Sequence, residues 1–214
     1  MPVLRYTPAM VTALISGLVT LFVVIDPIGL GPIFIGLTGG MPEKLKRKIG
    51  LEAIFIAFFV LAGSALFGDW LLTKLGISLA AFRIAGGLLL FAIAFEMVFE
   101  RRVERKADQS GSAGAHIAAF PLAIPLMAGP GAITAMVLLA GRVNGDALGF
   151  VLLIATMALM LLVAYVVFLT SSYLERLLGA QGQAVFGRLL GVLLAALSVQ
   201  YVADGVLALS KSLS

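Results

Sequence analysis

The chain has 214 residues, 61% of them hydrophobic and only 12% charged, with mean hydropathy +1.12; a water-soluble domain carries about 25% charged residues. The net charge of +4 would suggest nucleic acid in a soluble protein, but Lys and Arg gather in short loops between apolar runs, so topology accounts for them and no nucleic-acid partner is expected. Cysteine is absent, which excludes disulfides, thiolate nucleophiles and thiolate metal sites.

Apolar runs fall at 9–38, 49–72, 78–99, 117–141, 147–171 and 184–209, each long enough for a bilayer core of about 30 Å. They predict an all-α membrane protein of six transmembrane helices, leaving no room for a soluble domain. The first run follows a short segment, Met1–Pro8, and reads as a retained span rather than a signal peptide. It contains Ile25-Asp26-Pro27-Ile28-Gly29-Leu30-Gly31-Pro32, where Pro removes backbone donors and Gly opens conformations closed to other residues. A break is expected there, with Pro27 and Pro32 as helix breakers. Asp26 sits midway along this span, where a carboxylate costs about 2.5–3.5 kcal/mol on insertion scales. It either contacts a ligand, cation or coupling proton, or caps the half-helix that begins at Pro27.

Lys44, Lys46, Arg47 and Lys48 lie in the first loop, Arg101, Arg102, Arg105 and Lys106 in the third, and Arg176 in the fifth. The odd loops are therefore expected to be cytoplasmic, with both termini outward and periplasmic in a bacterial inner membrane. Glu52, near the start of the second span, and Glu96, near the cytoplasmic end of the third, are expected to reach the interface. Arg83 and Arg188 lie near span starts and are expected to snorkel to the surface. Gly86-Gly87 and Ala57, Ala62, Gly63 and Ser64 read as close helix packing. The polar, glycine-rich stretch around 108–116 reads as a linker between a three-helix repeat at 1–107 and a second at 117–214. His116 beside it reads as a surface residue with no metal pattern.

The fourth span contains Pro121-Leu122-Ala123-Ile124-Pro125-Leu126-Met127-Ala128-Gly129-Pro130-Gly131, a second concentration of breakers including Pro125 and Pro130. A shift of 98 residues places Pro27, Gly31 and Pro32 on Pro125, Gly129 and Pro130. A shift of 104 places Phe82, Gly87 and Glu96 on Phe186, Gly191 and Gln200. Three spans per half makes the second repeat inverted, with the first and fourth helices broken. Freed backbone in these breaks must be buried or line a wet cavity. The breaks therefore read as a binding site formed by Asp26, Pro27, Gly29, Gly31, Gly129, Gly131 and Thr134, or as kinks that only shape the bundle. Thr134 offers a hydroxyl to a ligand or packs between helices.

No H-E-x-x-H, G-x-S-x-G with a plausible base or phosphate-binding loop is present, so neither an enzyme nor a nucleotide-driven pump is expected. No metal or cofactor is expected beyond proton or sodium coupling.

Asp26-Pro27-Ile28-Gly29, Pro32-Ile33-Phe34, Arg83-Ile84-Ala85-Gly86-Gly87-Leu88-Leu89-Leu90, Pro121-Leu122-Ala123-Ile124-Pro125 and Ala128-Gly129-Pro130-Gly131-Ala132-Ile133 together resemble the MarC family of bacterial membrane proteins. The likeness extends over nearly the whole chain. It implies a six-span inner-membrane protein and, for some relatives, movement of small neutral amino acids such as glycine, alanine, serine or threonine. On that resemblance, half-helix N–H groups at Gly29–Gly31 and Gly129–Gly131 would hold the carboxylate of a zwitterion, with Asp26 or unwound carbonyls holding its ammonium. A passive channel, an exporter of another metabolite and a non-transporting scaffold compete with this carrier. The expected partners are the amino-acid substrate and the lipid bilayer, and a homo-oligomer is compatible with an apolar outer surface.

Overall fold

The computed structural model describes residues 8–99, 117–143 and 146–213, and all regular structure among them is helical. Arg5, the basic cluster Arg101–Lys106, the linker at 108–116 and His116 lie outside the described residues. In chain order the elements are α1 (Pro8–Ile25), α2 (Pro27–Thr38), α3 (Glu43–Lys74), α4 (Leu79–Val98), α5 (Ala118–Met127), α6 (Pro130–Arg142) and α7 (Ala147–Leu213). Five helical stretches are long and apolar enough to cross a membrane. The α5–α6 pair, bent by 57°, makes a sixth if it counts as one span.

At about 1.5 Å per residue, the 67 residues of α7 would run far beyond a bilayer if straight. They are divided at Gly179, whose φ of 59° and ψ of 177° belong to a region open essentially to glycine alone. The break between the apolar runs 147–171 and 184–209 is thus concentrated in one residue, and the two membrane-length arms are Ala147–Ser171 and Ala184–Lys211.

The first arm of α7 receives α2 and α3. Phe34 stacks on Phe168 with ring centroids 4.5 Å apart, and Gly50 lies against Tyr165 and Phe168. The second arm pairs antiparallel with α4 along a glycine seam. A Cβ on Gly87 would lie 2.7 Å from Val202 Cγ2 and 2.8 Å from the Ser198 carbonyl oxygen. One on Gly191 would lie 2.9 Å from Met97 Cβ, 3.0 Å from Val98 Cγ2 and 3.1 Å from the Ala94 carbonyl oxygen. These contacts are reciprocal: adding 104 carries Gly87 to Gly191, Ala94 to Ser198 and Val98 to Val202. Close backbone approach of this kind is how helices gain dispersion contacts where lipid removes the hydrophobic drive. Not every glycine is used so; Gly63, expected to pack, would meet nothing within 4 Å if it carried a Cβ.

Helix α6 is the core of the bundle. Eight of its thirteen residues are buried, from Gly131 to Leu139, as befits a helix apolar on all sides. Leu139 touches Gly17 of α1, Val137 faces Gly68 of α3, and Thr134 fills the space over Gly86 of α4. Gly141 packs on Leu79, Gly205 on Ile84 and Ala80, and Arg142 reaches Asp204. The start of α4 and the ends of α6 and α7 therefore meet at one end of the bundle. Buried hydroxyls turn inward on their own helices, as in Thr38 to the Phe34 carbonyl at 2.7 Å.

The seam generates a stability prediction. Gly87→Ala and Gly191→Ala should each cost about 1–3 kcal/mol through overpacking, lowering the thermal midpoint of the detergent-solubilised protein. Gly63→Ala should leave it unchanged or raise it, since Ala is favoured in open helical positions by about 0.5–1 kcal/mol.

Candidate functional site

The chain around Asp26 is interrupted at a single residue. Asp26 adopts φ 54° and ψ 62°, a left-handed conformation uncommon for residues with a Cβ but accessible to Asp. Its N–H still donates to the Phe22 carbonyl at 3.0 Å and its own carbonyl accepts from Leu30 N at 3.1 Å, so the turn is helical on either side. Pro27 occupies the first position of α2, where its missing donor is harmless. The Asp26 carboxylate caps the new helix, with Gly29 N donating to Oδ1 at 3.1 Å. A Cβ on Gly29 would collide with that carboxylate, so the Asp26–Gly29 pair is one device. Asp26 is 7% exposed.

Pro32 does not break the helix: α2 continues through it to Thr38. The missing donor of Pro32 costs one intrahelical bond, but the turn is flanked by the buried Gly31 and Ile33 and held against α7, so helix geometry persists. A Cβ on Gly31 would meet Val167 and Ser171 at ordinary contact distance.

The second break is more extensive. Helix α5 winds in wide turns, with Leu122 N donating to the Ile117 carbonyl at 3.3 Å and Ala128 N to the Ala123 carbonyl at 2.8 Å. Phe120 and Ile124 are extended, and the Phe120–Pro121 and Ile124–Pro125 peptides are cis. The chain then turns at Gly129 (φ −81°, ψ 175°), and Pro130 opens α6. A Cβ on Gly129 would collide with the Pro125 carbonyl oxygen. Among the described residues no side chain caps α6, Gly129 is half-buried and Pro130 is exposed.

Pro27 and Pro130 each open a helix, 103 residues apart, with Asp26 and Gly129 immediately before them. This agrees within one residue with the 104 of the α4–α7 seam. The two helix starts therefore differ in one respect: the first carries its own carboxylate and the second carries none.

The breaks approach each other inside the bundle. Gly131 packs against Val24, two residues before Asp26, and against Leu90 and Ile93 of α4. The last turn of α1 thus lies at the uncapped start of α6, opposing a carbonyl-bearing helix end to an amide-bearing one. Thr134, 4% exposed, lies one turn further on against Gly86. Arg83, expected to snorkel, lies on the α4 face that packs on α6. It is half-buried, and its Nε is buried with no hydrogen-bond partner among the described residues, because Leu79 and Gly86 on the same helix face dock on α6. Glu52 does reach the surface, 3.8 Å from Lys48.

Comparison with known proteins gives a consistent family. The sequence pattern described as MarC family integral membrane protein matches residues 11–210. A UPF0056 membrane protein of Methanocaldococcus jannaschii is 37% identical over 94% of this chain and 89% of its own length. One from Aquifex aeolicus is 36% identical over 92% and 94% respectively. The UPF0056 membrane protein YhcE of Escherichia coli is 32% identical over 87% and 88%. No solved structure matches.

The cap separates geometry from charge at Asp26. Asp26→Asn retains both the left-handed conformation and an acceptor for Gly29 N, so its thermal midpoint should remain near that of the parent. Asp26→Ala loses both and should be destabilised by about 1–2 kcal/mol, read as a lower midpoint in the same detergent. Equal midpoints for the two variants would refute a structural cap.

Proposed function

The chain belongs to the MarC family of integral membrane proteins, and we propose that it is a secondary transporter moving small neutral amino acids of the glycine, alanine, serine and threonine class by alternating access. The observation that carries this reading is the meeting of two broken spans: one with a buried carboxylate at its break, the other with a helix start that no side chain caps. An α-amino acid needs a cation acceptor and an anion acceptor within a few ångströms. The first-turn amides of α6 at Gly131 and Ala132 suit the carboxylate, and Asp26 with the carbonyl end of α1 suits the ammonium. Because Gly29 N is already bonded to Asp26, the anion-binding role falls to the second break alone. The Gly, Ala and Ile lining favours a short side chain.

Alternating access is commonly built on inverted repeats. Six spans arranged as two inverted halves are supported here by the reciprocal α4–α7 contacts and by the near-equal shifts of 103 and 104. The loop charges favour a bacterial inner membrane with both termini periplasmic, and a proton or sodium gradient supplies the drive. A homo-oligomer fits the apolar outer faces.

Labelled alanine, glycine, serine and threonine should enter proteoliposomes saturably, with L over D preference, and respond to an imposed proton or sodium gradient. Asp26→Asn, which retains the cap, should reduce uptake at least about ten-fold, the equivalent of one charged hydrogen bond. Absence of flux with folded parent protein would remove the amino-acid reading, and unsaturable flux of both isomers would make the protein a channel.

A further inference from the structure

The outward side of α3 ends in positive charge that the protein does not balance. Ala53, Ala57 and Leu61 turn this helix toward the bundle and are buried. On the other side Lys44, Lys48, Leu51 and Phe55 follow one another at intervals of four, three and four residues, and all are exposed. Arg47, also exposed, stands three residues after Lys44 and four before Leu51, so it belongs to the same face. Trp70 is exposed too, about six turns beyond Lys48 on that side.

The two ends of this stripe fix its depth. At 1.5 Å per residue Lys48 and Trp70 are about 33 Å apart, close to the ~30 Å of a bilayer hydrocarbon core. Tryptophan favours the membrane–water interface, so with Trp70 at one interface the three cations stand among the headgroups of the opposite leaflet. Leu51 and Phe55 then lie just inside the acyl region. Residues 43–52 carry four cations and two carboxylates. Glu43 pairs with Lys46 at 2.9 Å and Glu52 lies 3.8 Å from Lys48, which leaves Lys44 and Arg47 without an ion-pair partner among the described residues. Orientation in the membrane needs cations only somewhere in a loop. Here they stand directly above a lipid-contacting stripe, where the nearest groups outside the protein are phospholipid headgroups. A zwitterionic headgroup brings its own ammonium, whereas a net-anionic one supplies the missing charge.

We propose that Lys44, Arg47 and Lys48 form a binding surface for the headgroup of an anionic phospholipid whose acyl chains lie along Leu51 and Phe55. The phosphodiester accepts from the Arg47 guanidinium, whose planar fork matches it, and from the two ammonium groups. The surface lies outside the helix breaks and does not require that the protein transport amino acids.

The test is thermal unfolding of the purified full chain in detergent, titrated with phosphatidylglycerol or phosphatidylcholine of the same acyl chains. Phosphatidylglycerol should raise the midpoint saturably and to a greater extent than phosphatidylcholine. Lys44→Gln and Arg47→Gln should each raise its half-saturating concentration about five-fold and the double variant about 25-fold, the value of one and two basic residues at an anionic membrane surface. Both side chains are exposed, so the variants should keep the parent midpoint in phosphatidylcholine. Lys74→Gln, an equal charge change at the other end of α3, should leave half-saturation unmoved. Equal response to the two lipids, half-saturation unchanged in the double variant, or a loss in Lys74→Gln as large as in Lys44→Gln overturns the surface. So does an equal rise of the midpoint with inorganic phosphate, which would assign the cations to a free anion instead of a lipid.

Discussion

Backbone that leaves helical geometry inside a bilayer has to find its hydrogen-bond partners within the protein, and the arrangement of this bundle follows from that requirement. The broken α1–α2 span is 56% buried over its most apolar window, against 22% for the second arm of α7. Helix α6, which follows the other break, is surrounded by α1, α3 and α4. The unbroken helices take the periphery, where large apolar side chains such as Phe55, Phe59 and Leu193 are exposed as lipid contact requires. The interior therefore takes much of the first broken span and α6, while Phe120 and Ile124 of α5 stay on the outside.

Holding irregular segments inside demands close walls. The α4–α7 seam supplies one of them through glycines that bring backbones together, with Ala94 and Ser198 continuing the small-residue rows. The same helices present different chemistry on their α6 flank, where the Arg142 guanidinium lies over the Tyr201 ring and reaches Asp204. One helix pair thus serves both as a tight apolar joint and as the support of a polar cluster, because its two faces are separated by helical periodicity.

The spans and both breaks are legible in the sequence, since apolar length and clustered Pro and Gly are local signals. Asp26 is legible as a cap or a ligand contact, and Pro27 immediately after it favours the cap that the structure contains. Pro32 illustrates the opposite case: its breaking tendency is overridden by packing around α2. The 98-residue shift sets Pro27 on Pro125, whereas the proline that opens a helix in the second segment is Pro130, a choice between two prolines that sequence alone does not make. The wide winding of α5 has no local signature, and the buried Nε of the half-buried Arg83 reflects packing of its helix face on α6, far away along the chain. Periodicity places a residue on a face; only tertiary contacts say what that face meets.

The difference between Asp26 and Gly129 also constrains how this chain can change over evolutionary time. Placing an aspartate at 129 would require a Cβ where the Pro125 carbonyl oxygen lies, so that substitution is closed unless the Ile124–Pro125 turn is rebuilt first. Losing the carboxylate at 26 takes one substitution, whereas gaining one before α6 takes several coordinated changes. The two helix starts are therefore not interchangeable, and an acidic cap before α6 presupposes a chain without that turn.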